Sequence, residues 1–405
     1  MVSSQENVFL SRSFIFSFLS FFFLWISFDF FILFPLFILK KGGDSVDVGI
    51  QTFIFFFPAV LMRPVAGWLT DRIGRLRVLW FGSTLMVSTA FSFLLLKGSY
   101  VEMKHWMALI MFLRGISFAA FYTAFFTYIV DLSSSVNRGR VIGMFGVSGL
   151  VAHGVAPWLG ERVLARFDFA GFFFVSGVLS LISLLISTAL KEKHRIAEPR
   201  ESGFQTMMSV TFTRRNRIIL PGAFVFGYVV ASFNTFGAPY FEASGGGATA
   251  GQFFLAYGLT AGVVRIIFGG VADRYQRSKL IGIFSILQGA GLSFLLLEPV
   301  SRFYLLAGAV AGGAHGILFP SLSAMAIDAH PQHVRGVVAS IFTGVIELGF
   351  STGSYLLGVV VAISGYKTMF ASAVGMAFVF AFYVLVLHAG RSESTVDRDG
   401  LPDHV

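Results

Sequence analysis

Cysteine is absent from this 405-residue sequence, and charged residues are scarce. A chain without cysteine has no disulfide, no thiolate metal site and no thiol nucleophile. Charged residues make up 13% of the sequence, whereas they make up about 25% of an ordinary soluble domain. These deficits exclude a disulfide framework and a typical soluble domain, and they indicate a membrane protein.

The sequence also lacks the short motifs of common enzyme classes. It contains no HExxH metalloprotease motif and no GxxxxGK[ST] loop to hold a nucleotide phosphate. We therefore expect no enzymatic activity, no bound metal and no cofactor. The formal charge of +9 does not indicate nucleic acid as a partner, because membrane proteins retain lysine and arginine on their cytoplasmic side.

Long apolar runs fill most of the chain: 56% of the residues are hydrophobic and 50 are phenylalanine. A helix needs about 20 apolar residues to cross a lipid bilayer. Because lipid offers backbone amides no hydrogen-bond partner, runs of this length must be helical. The runs that qualify number twelve, at residues 13–39, 47–69, 78–96, 105–130, 139–161, 169–190, 218–241, 249–271, 280–297, 303–327, 336–363 and 369–388.

The basic residues between these runs predict how the chain is oriented. If the N-terminus is cytoplasmic, the inner loops and tails hold 19 lysines and arginines and the outer loops hold 8. This excess places both termini in the cytoplasm. The longest polar interruption divides the spans equally, so we predict a six-helix unit at 1–190, a cytoplasmic linker at 191–217, a second six-helix unit at 218–390 and a cytoplasmic tail at 391–405.

An internal repeat relates the two units. GWLTDRIGRLR at 67–77 is followed 202 residues later by GGVADRYQRSK at 269–279, and Asp131 has a counterpart 197 residues later in Asp328. A glycine at position 67 allows close helix approach, and Asp71 and Arg75 have the spacing of an ion pair. We interpret both stretches as cytoplasmic gating loops, although the arginines could simply anchor helix ends. The candidate gating residues are Gly67, Asp71, Arg72, Gly74, Arg75, Arg77, Gly269, Asp273, Arg274 and Arg277.

The first of these loops, with its pattern Gly67-x3-Asp71-Arg72-x-Gly74-Arg75-x-Arg77, resembles the signature loop of the major facilitator superfamily. The second copy departs from it, since Gln276 stands where the first has Gly74. The resemblance implies an all-α membrane protein of two pseudo-symmetric six-helix bundles around a central cavity. The bundles would rock to expose a midplane site to each side in turn. The implied activity is transport of a small-molecule substrate, and we expect a monomer in the bacterial cytoplasmic (inner) membrane.

Charged and strongly polar side chains inside the spans are the candidates for the transport cavity. Burying an Asp, Arg or Lys at the centre of a membrane helix costs about 2.5 to 3.5 kcal/mol on translocon scales, so these groups should face water or one another. They are Asp29, Arg114, Glu347, His315, His153 and Asn234.

Two of these residues have complementary charge. The resemblance places the first and fourth helices side by side, which predicts a contact between Asp29 and Arg114. Our hypothesis is that Asp29 takes up a proton when this contact opens, so that the proton gradient drives transport; a static pair is the alternative. Glu347 is either a second proton site or a ligand for a cationic substrate. His315 and His153 either titrate or are neutral buried side chains, and Asn234 either hydrogen-bonds substrate or joins helices.

The fifth span gives the only indication of direction. Gly154, Pro157 and Gly160 resemble a glycine and proline pattern that the family's antiporters carry in this helix, but Ala156 and Glu161 stand where that pattern has glycine. The resemblance favours proton-coupled efflux. A proton-coupled importer and a non-transporting sensor with the same fold remain the alternatives.

Overall fold

The computed structural model describes residues 11–133, 138–192, 211, 213, 216–268, 275–330 and 334–387. In this part of the chain all regular structure is helical, as the sequence predicts. The α-helices, numbered in chain order, are α1 Arg12–Phe30, α2 Phe34–Lys40, α3 Ser45–Ile73, α4 Arg75–Ser92, α5 Tyr100–Leu132, α6 Arg138–Ser187, α7 Asn216–Ser244, α8 Ala250–Phe268, α9 Arg277–Ser293, α10 Val300–Asp328 and α11 Arg335–Leu387. Short 3-10 turns follow α1, α4 and α9.

Two of the helices are interrupted. The 50-residue α6 has a positive φ of 55° at Asp168, and the 53-residue α11 has a positive φ of 80° at Gly365. Each interruption separates two helical segments that the sequence analysis predicted as separate spans. Helices α1 and α2 are joined through a 3-10 turn into one apolar stretch, Arg12–Lys40. In the described residues, ten such stretches are long and apolar enough to cross a membrane; the count of twelve and the side of each terminus stay predictions.

The helices form two packed groups, which we call the N-terminal half (α1–α6) and the C-terminal half (α7–α11). In the first half α1 packs on α6, and α5 packs on α3 and α4; in the second, α7 packs on α11, and α10 packs on α8 and α9. The halves meet along two long contacts, α3 with α11 and α6 with α8. We call this interface the seam. The predicted linker at 191–217 and tail at 391–405 lie mostly or wholly outside the described residues.

Serine side chains join helices where apolar packing alone gives no driving force in lipid. Ser20 Oγ lies 3.0 Å from Ser183 Oγ, and Ser27 Oγ lies 2.9 Å from Ser176 Oγ and 2.6 Å from Ser180 Oγ. These serines recur at about one or two helical turns, so they form a narrow polar stripe between α1 and α6. The stripe fixes the rotation of α1 and thereby the direction in which Asp29 points.

The seam is tightly closed at the end where α3 begins. Ser45 Oγ donates to the Gly358 carbonyl at 3.0 Å, and a Cβ built on Gly49 would lie 2.6 Å from the Ser354 carbonyl oxygen. Farther along, a Cβ at Gly143 or Gly262 would meet no atom within 4 Å. We call the first end the closed end and the opposite one, where α3 ends at Ile73, the open end.

Candidate functional site

A buried ion pair crosses the middle of the seam. Arg63 of α3 donates from Nε to Glu347 Oε2 of α11 at 2.7 Å, and its Nη2 contacts Glu347 Oε1, which makes the pair bidentate. Both side chains are largely shielded from solvent, at 11% and 9% exposure. The Arg63 guanidinium also lies 4.9 Å from the Tyr122 ring centroid. Glu347 therefore faces the seam, as predicted, and its partner is supplied by the other half of the protein.

Asp29 is also buried, but its partner is not the one predicted. Its Oδ2 lies 3.2 Å from Nδ1 of His153 on α6. Within the described residues Asp29 forms no ion pair with Arg114, so the predicted Asp29 to Arg114 contact is wrong. The physical reason is the rotation of α1: the serine stripe holds Ser27 against α6, and Asp29 follows on the side that reaches His153.

Arg114 is fully buried on α5 and is stabilised without a carboxylate. Its guanidinium carbon lies 3.6 Å from the centroid of the Phe31 ring, and Nη2 donates to the Ser27 carbonyl at 3.3 Å. A desolvated guanidinium gains about 2 kcal/mol or more from an aromatic face. Its contacts lie within the N-terminal half, which is the arrangement of a group that holds helices together.

The two histidines lie on either side of the seam. The ring centroid of His153 is 5.8 Å from that of Tyr257 on α8, and the Tyr257 hydroxyl hydrogen-bonds Nδ1 of His315 on α10. Asp29, His153, Tyr257 and His315 thus form a row of polar groups from α1 to α10. Asn234 is buried but donates to the Val230 carbonyl of its own helix at 3.1 Å.

Arg265 lies on α8 about two helical turns after Tyr257. A Cβ built on Gly146 of α6 would lie 3.0 Å from Arg265 Nη1, so the guanidinium reaches across the seam. Its carbon is 5.7 Å from the Phe319 ring centroid. Nε and Nη2 are buried and have no hydrogen-bond partner among the described residues. Arg265 occupies the position in the second unit that Arg63 occupies in the first.

The glycine and proline pattern of the fifth span lies against α8. A Cβ on Gly154 would come within 3.0 Å of the Phe254 carbonyl oxygen, and one on Gly160 within 2.8 Å of Leu33. Pro157 lies inside α6. Glu161, which departs from the pattern, has its carboxylate oxygen Oε2 beside Gly251 at the start of α8. Because helix N-termini carry unpaired amides and positive charge, Glu161 fastens the closed end.

Arg75 organises the first gating loop. It pairs with Asp131 of α5 at 2.8 Å and with Asp71 at 3.5 Å, so the predicted pairing within the loop is present but is the longer of the two. The second unit repeats the principal contact, since Arg277 lies 2.7 Å from Asp328. The two copies therefore tie the open ends of helices within each half.

The remaining loop residues have distinct surroundings. A Cβ on Gly67 would meet only Thr123, at 4.0 Å, so the close helix approach expected there is absent. Gly74 has a φ of 104°, a conformation that favours glycine. Arg72 lies 5.0 Å from the Trp68 ring centroid, and Arg77 is exposed. Gly269, Asp273 and Arg274 lie outside the described residues.

Sequence reasoning missed Arg63 and Arg265 as site residues. Both lie inside predicted spans, at 47–69 and 249–271, and they correspond to each other at the 202-residue offset of the repeat. That correspondence is the signal that identifies them. A basic residue retained at the same intramembrane position in both units points to a position that faces the seam.

Comparison with known proteins agrees with this architecture. The profile of the Major Facilitator Superfamily matches residues 13–275 and 244–402. An uncharacterised MFS-type transporter of Salmonella typhimurium is 23% identical over 343 residues, covering 84% of this chain and 87% of the relative. The crystal structure of the nucleoside transporter NupG superposes with a TM-score of 0.76 at 16% identity, covering 94% of this chain and 100% of that one. The Escherichia coli fucose:proton symporter FucP gives 0.63 at 15% identity, covering 92% and 99%.

Proposed function

The chain belongs to the major facilitator superfamily, and from that premise we propose that it exports a small molecule across the membrane in exchange for protons. The export would proceed by alternating access, in which the two halves rock about a site near the bilayer midplane. The seam with one closed and one open end supports this motion. We further infer that the protein acts as a monomer in a bacterial cytoplasmic membrane, with the proton gradient as its energy source and no cofactor.

The observation that carries the proton coupling is the Arg63 to Glu347 pair. Charge-assisted, bidentate hydrogen bonds of this kind are about twice as strong as neutral ones. A proton on Glu347 removes the negative charge and one acceptor site, and so weakens the only bidentate contact that joins α3 to α11 within the described residues. Proton uptake is thereby linked to separation of the halves. Asp29 with His153 provides a second buried acid beside the seam.

Export, rather than import, is supported by the fifth-span pattern. Gly154 permits backbone contact between α6 and α8, and Pro157 and Gly160 complete the part of the antiporter pattern that is present. An importer that moves substrate and proton together is the competing function, and the fucose:proton symporter among the structural neighbours is a protein of that kind. The two differ in the direction of proton movement relative to substrate.

Proton coupling can be tested without knowing the substrate, because the distance between the two halves can be measured directly. The chain has no native cysteine, so introduced cysteines are labelled specifically. Spin labels at Lys40→Cys and Ser244→Cys, both exposed at the closed end, report the distance between the halves by pulsed EPR. We expect this distance to lengthen as the pH falls, and Glu347→Gln to hold the longer distance at every pH. The proposal is contradicted if the distance between the labels changes neither with pH nor on substitution of Glu347→Gln.

Direction is decided in inside-out vesicles with an acidic lumen and a lumenal pH dye. Sugars, amines, metallophores and drugs are added one at a time to the medium. A substrate of a proton-coupled exporter enters the lumen while protons leave, so the lumenal pH rises. An importer moves substrate and protons together, so it raises the lumenal pH only when the substrate is loaded inside the vesicles. Vesicles containing the Glu347→Gln variant are the control, and in them we expect no substrate-dependent change.

A further inference from the structure

The acidic and basic groups within the spans do not balance. Within the described spans the buried acids are Asp29 and Glu347, and each has a basic partner, His153 and Arg63. Arg114 is stabilised by an aromatic face and a carbonyl inside the N-terminal half. Arg265 is left without a counterion among the described residues, and two of its nitrogens are buried without a hydrogen-bond partner.

The internal repeat shows where a counterion is lacking. Arg63 and Arg265 are equivalent, but only Arg63 faces a carboxylate. At the 197-residue offset that relates Asp131 to Asp328, the counterpart of Glu347 is Leu150 of α6. Leu150 lies one turn from Gly146, the residue whose backbone Arg265 approaches. Arg63 of the first unit thus faces an acid of the second unit, whereas Arg265 of the second unit has an apolar residue, Leu150 of the first unit, at the equivalent place.

Aromatic groups from both halves of the protein surround Arg265. The guanidinium lies 5.7 Å from the Phe319 ring centroid, and the hydroxyls of Tyr122 and Tyr257 are close enough to interact with it electrostatically. Tyr122 and Gly146 belong to the N-terminal half, whereas Tyr257 and Phe319 belong to the C-terminal half. A molecule bound here would contact both halves, as a transported substrate must.

Resting on the transport function above, we propose that Arg265 binds the anionic group of the substrate, and that the substrate is a small organic oxyanion with an apolar or aromatic body. Guanidinium presents a planar pair of donors that fits a carboxylate or a phosphate bidentately. The oxyanion takes the place opposite Arg265 that Glu347 holds opposite Arg63. Phe319 and Tyr122 provide surface for the apolar body.

Direct binding to the purified, detergent-solubilised protein tests this assignment. The probes are benzoate, hexanoate and phenyl phosphate, each compared with a neutral analogue: benzamide, hexanamide and benzyl alcohol. The variants are Arg265→Gln, Arg265→Lys and Arg302→Gln, the last an exposed arginine at the start of α10. Thermal unfolding and titration calorimetry are measured for each pair of protein and probe.

We expect at least one anion to raise the Tm in a concentration-dependent way, while its neutral analogue does not. Loss of a charged hydrogen bond predicts that Arg265→Gln weakens binding by about 10- to 100-fold. Arg265→Lys should lose less, and Arg302→Gln should bind as the wild type does. A carboxylate that binds and a phosphate that does not, or the reverse, identifies the group.

The unfolding temperature of the variant without any probe shows whether a loss of binding is due to misfolding. Because Arg265 is a partly buried cation with no counterion among the described residues, Arg265→Gln should unfold at the same or a higher temperature than the wild type when no probe is present. The assignment is overturned if no anion binds, if the neutral analogues bind equally well, or if Arg265→Gln binds the anion with wild-type affinity. None of these measurements uses a proton gradient. A negative result here therefore does not contradict the proposed proton exchange, and a negative result for proton exchange does not contradict anion binding.

Discussion

At the residue scale, the pairing of Arg63 with Glu347 is better suited to a switch than to a permanent fastening. Desolvation offsets most of the attraction within a buried ion pair, so such a pair adds little net stability over apolar packing, yet removing one member leaves a costly unpaired charge. The contact between α3 and α11 is therefore sensitive to the charge on Glu347. This sensitivity is what proton coupling requires.

A double-mutant cycle on Arg63 and Glu347 measures the contact. Glu347→Gln alone leaves the buried guanidinium uncompensated and should lower the free energy of unfolding by about 3 kcal/mol, less where cavity water reaches it. Arg63→Gln combined with Glu347→Gln should recover at least about 1 kcal/mol of that loss. The measurement is reversible unfolding in detergent. Additive effects of the two substitutions would show that the pair has no energetic role.

The partner of Asp29 was not predictable from the sequence. The sequence marks Asp29, His153 and Arg114 as costly intramembrane groups, but which of them meet depends on the rotation of α1, and the serine contacts with α6 decide that rotation. A rotation of α1 by about 100°, the angle between successive residues of a helix, would bring Asp29 to a different neighbouring helix. The pairing of Arg63 with Glu347 was not predictable for a related reason, since only the folded seam brings the two side chains together.

The corrected partnership makes a prediction of its own. Asp29 and His153 are in contact, so Asp29→Asn and His153→Gln should be coupled by more than about 0.5 kcal/mol in a double-mutant cycle. Asp29→Asn with Arg114→Gln should be additive within about 0.5 kcal/mol, because these side chains do not pair. Unfolding free energies of the four variants and the wild type decide between the two partners.

At the element scale, backbone contact between α6 and α8 closes one end of the seam. A Cβ on Gly258 would lie 2.5 Å from the Leu150 carbonyl oxygen and 2.8 Å from the Gly154 Cα, whereas a Cβ on Gly262, one turn further, would meet nothing within 4 Å. Close approach of this kind needs small residues at the crossing. The closed seam therefore requires a residue without a side chain at Gly258 but not at Gly262.

Gly258→Ala should therefore push the closed end apart, and Gly262→Ala is its matched control. Overpacking costs about 1 to 3 kcal/mol, which corresponds to about a 5- to 150-fold shift between closed and open populations. Pulsed EPR between labels at Lys40→Cys and Ser244→Cys measures the shift. Equal distances in the two alanine variants would contradict the role of the Gly154 to Gly258 crossing.

The repeated arginine to aspartate contact differs in exposure between the two halves. Asp131 is 20% exposed beside Arg75, whereas Asp328 is 50% exposed beside Arg277. Solvent weakens ion pairs, and exposed pairs contribute about 0 to 1 kcal/mol. Asp131→Asn should therefore lower the free energy of unfolding by about 1 to 3 kcal/mol, and Asp328→Asn by less than about 1 kcal/mol. Thermal unfolding of both variants checks the order, and a reversed order would contradict it.

The elements themselves were largely predictable, because lipid leaves the backbone no alternative to the helix. The predicted run at 47–69 is observed as α3, Ser45–Ile73, and the runs at 139–161 and 169–190 lie on either side of Asp168 in α6. The helix ends extend beyond the apolar runs where capping residues such as Asp44 continue the hydrogen bonding. Apolar length predicts a span, and capping chemistry sets its ends.

At the scale of the whole molecule, basic residues and seam geometry together define the two faces of the protein. The open end includes Arg72 in the last turn of α3 and Arg75 and Arg77 in the first turn of α4. The closed end includes Lys40, the last residue of α2, and Lys41, which follows it. Because cytoplasmic loops retain the excess of lysine and arginine, the open end should face the cytoplasm, and the site should be reached from there in this conformation.

Labelling of single cysteines in intact cells tests this orientation. Since the wild type has no cysteine, Ile73→Cys and Tyr275→Cys, both exposed at the open end, should react with a membrane-impermeant maleimide only after the cells are opened. Lys40→Cys should react in intact cells because it lies at the closed end. The imbalance of 19 against 8 basic residues is the reason to expect that the open end faces the cytoplasm and is protected from the reagent in intact cells. Labelling of Ile73→Cys in intact cells would invert the topology, and the proposed exporter would then take up its substrate from outside.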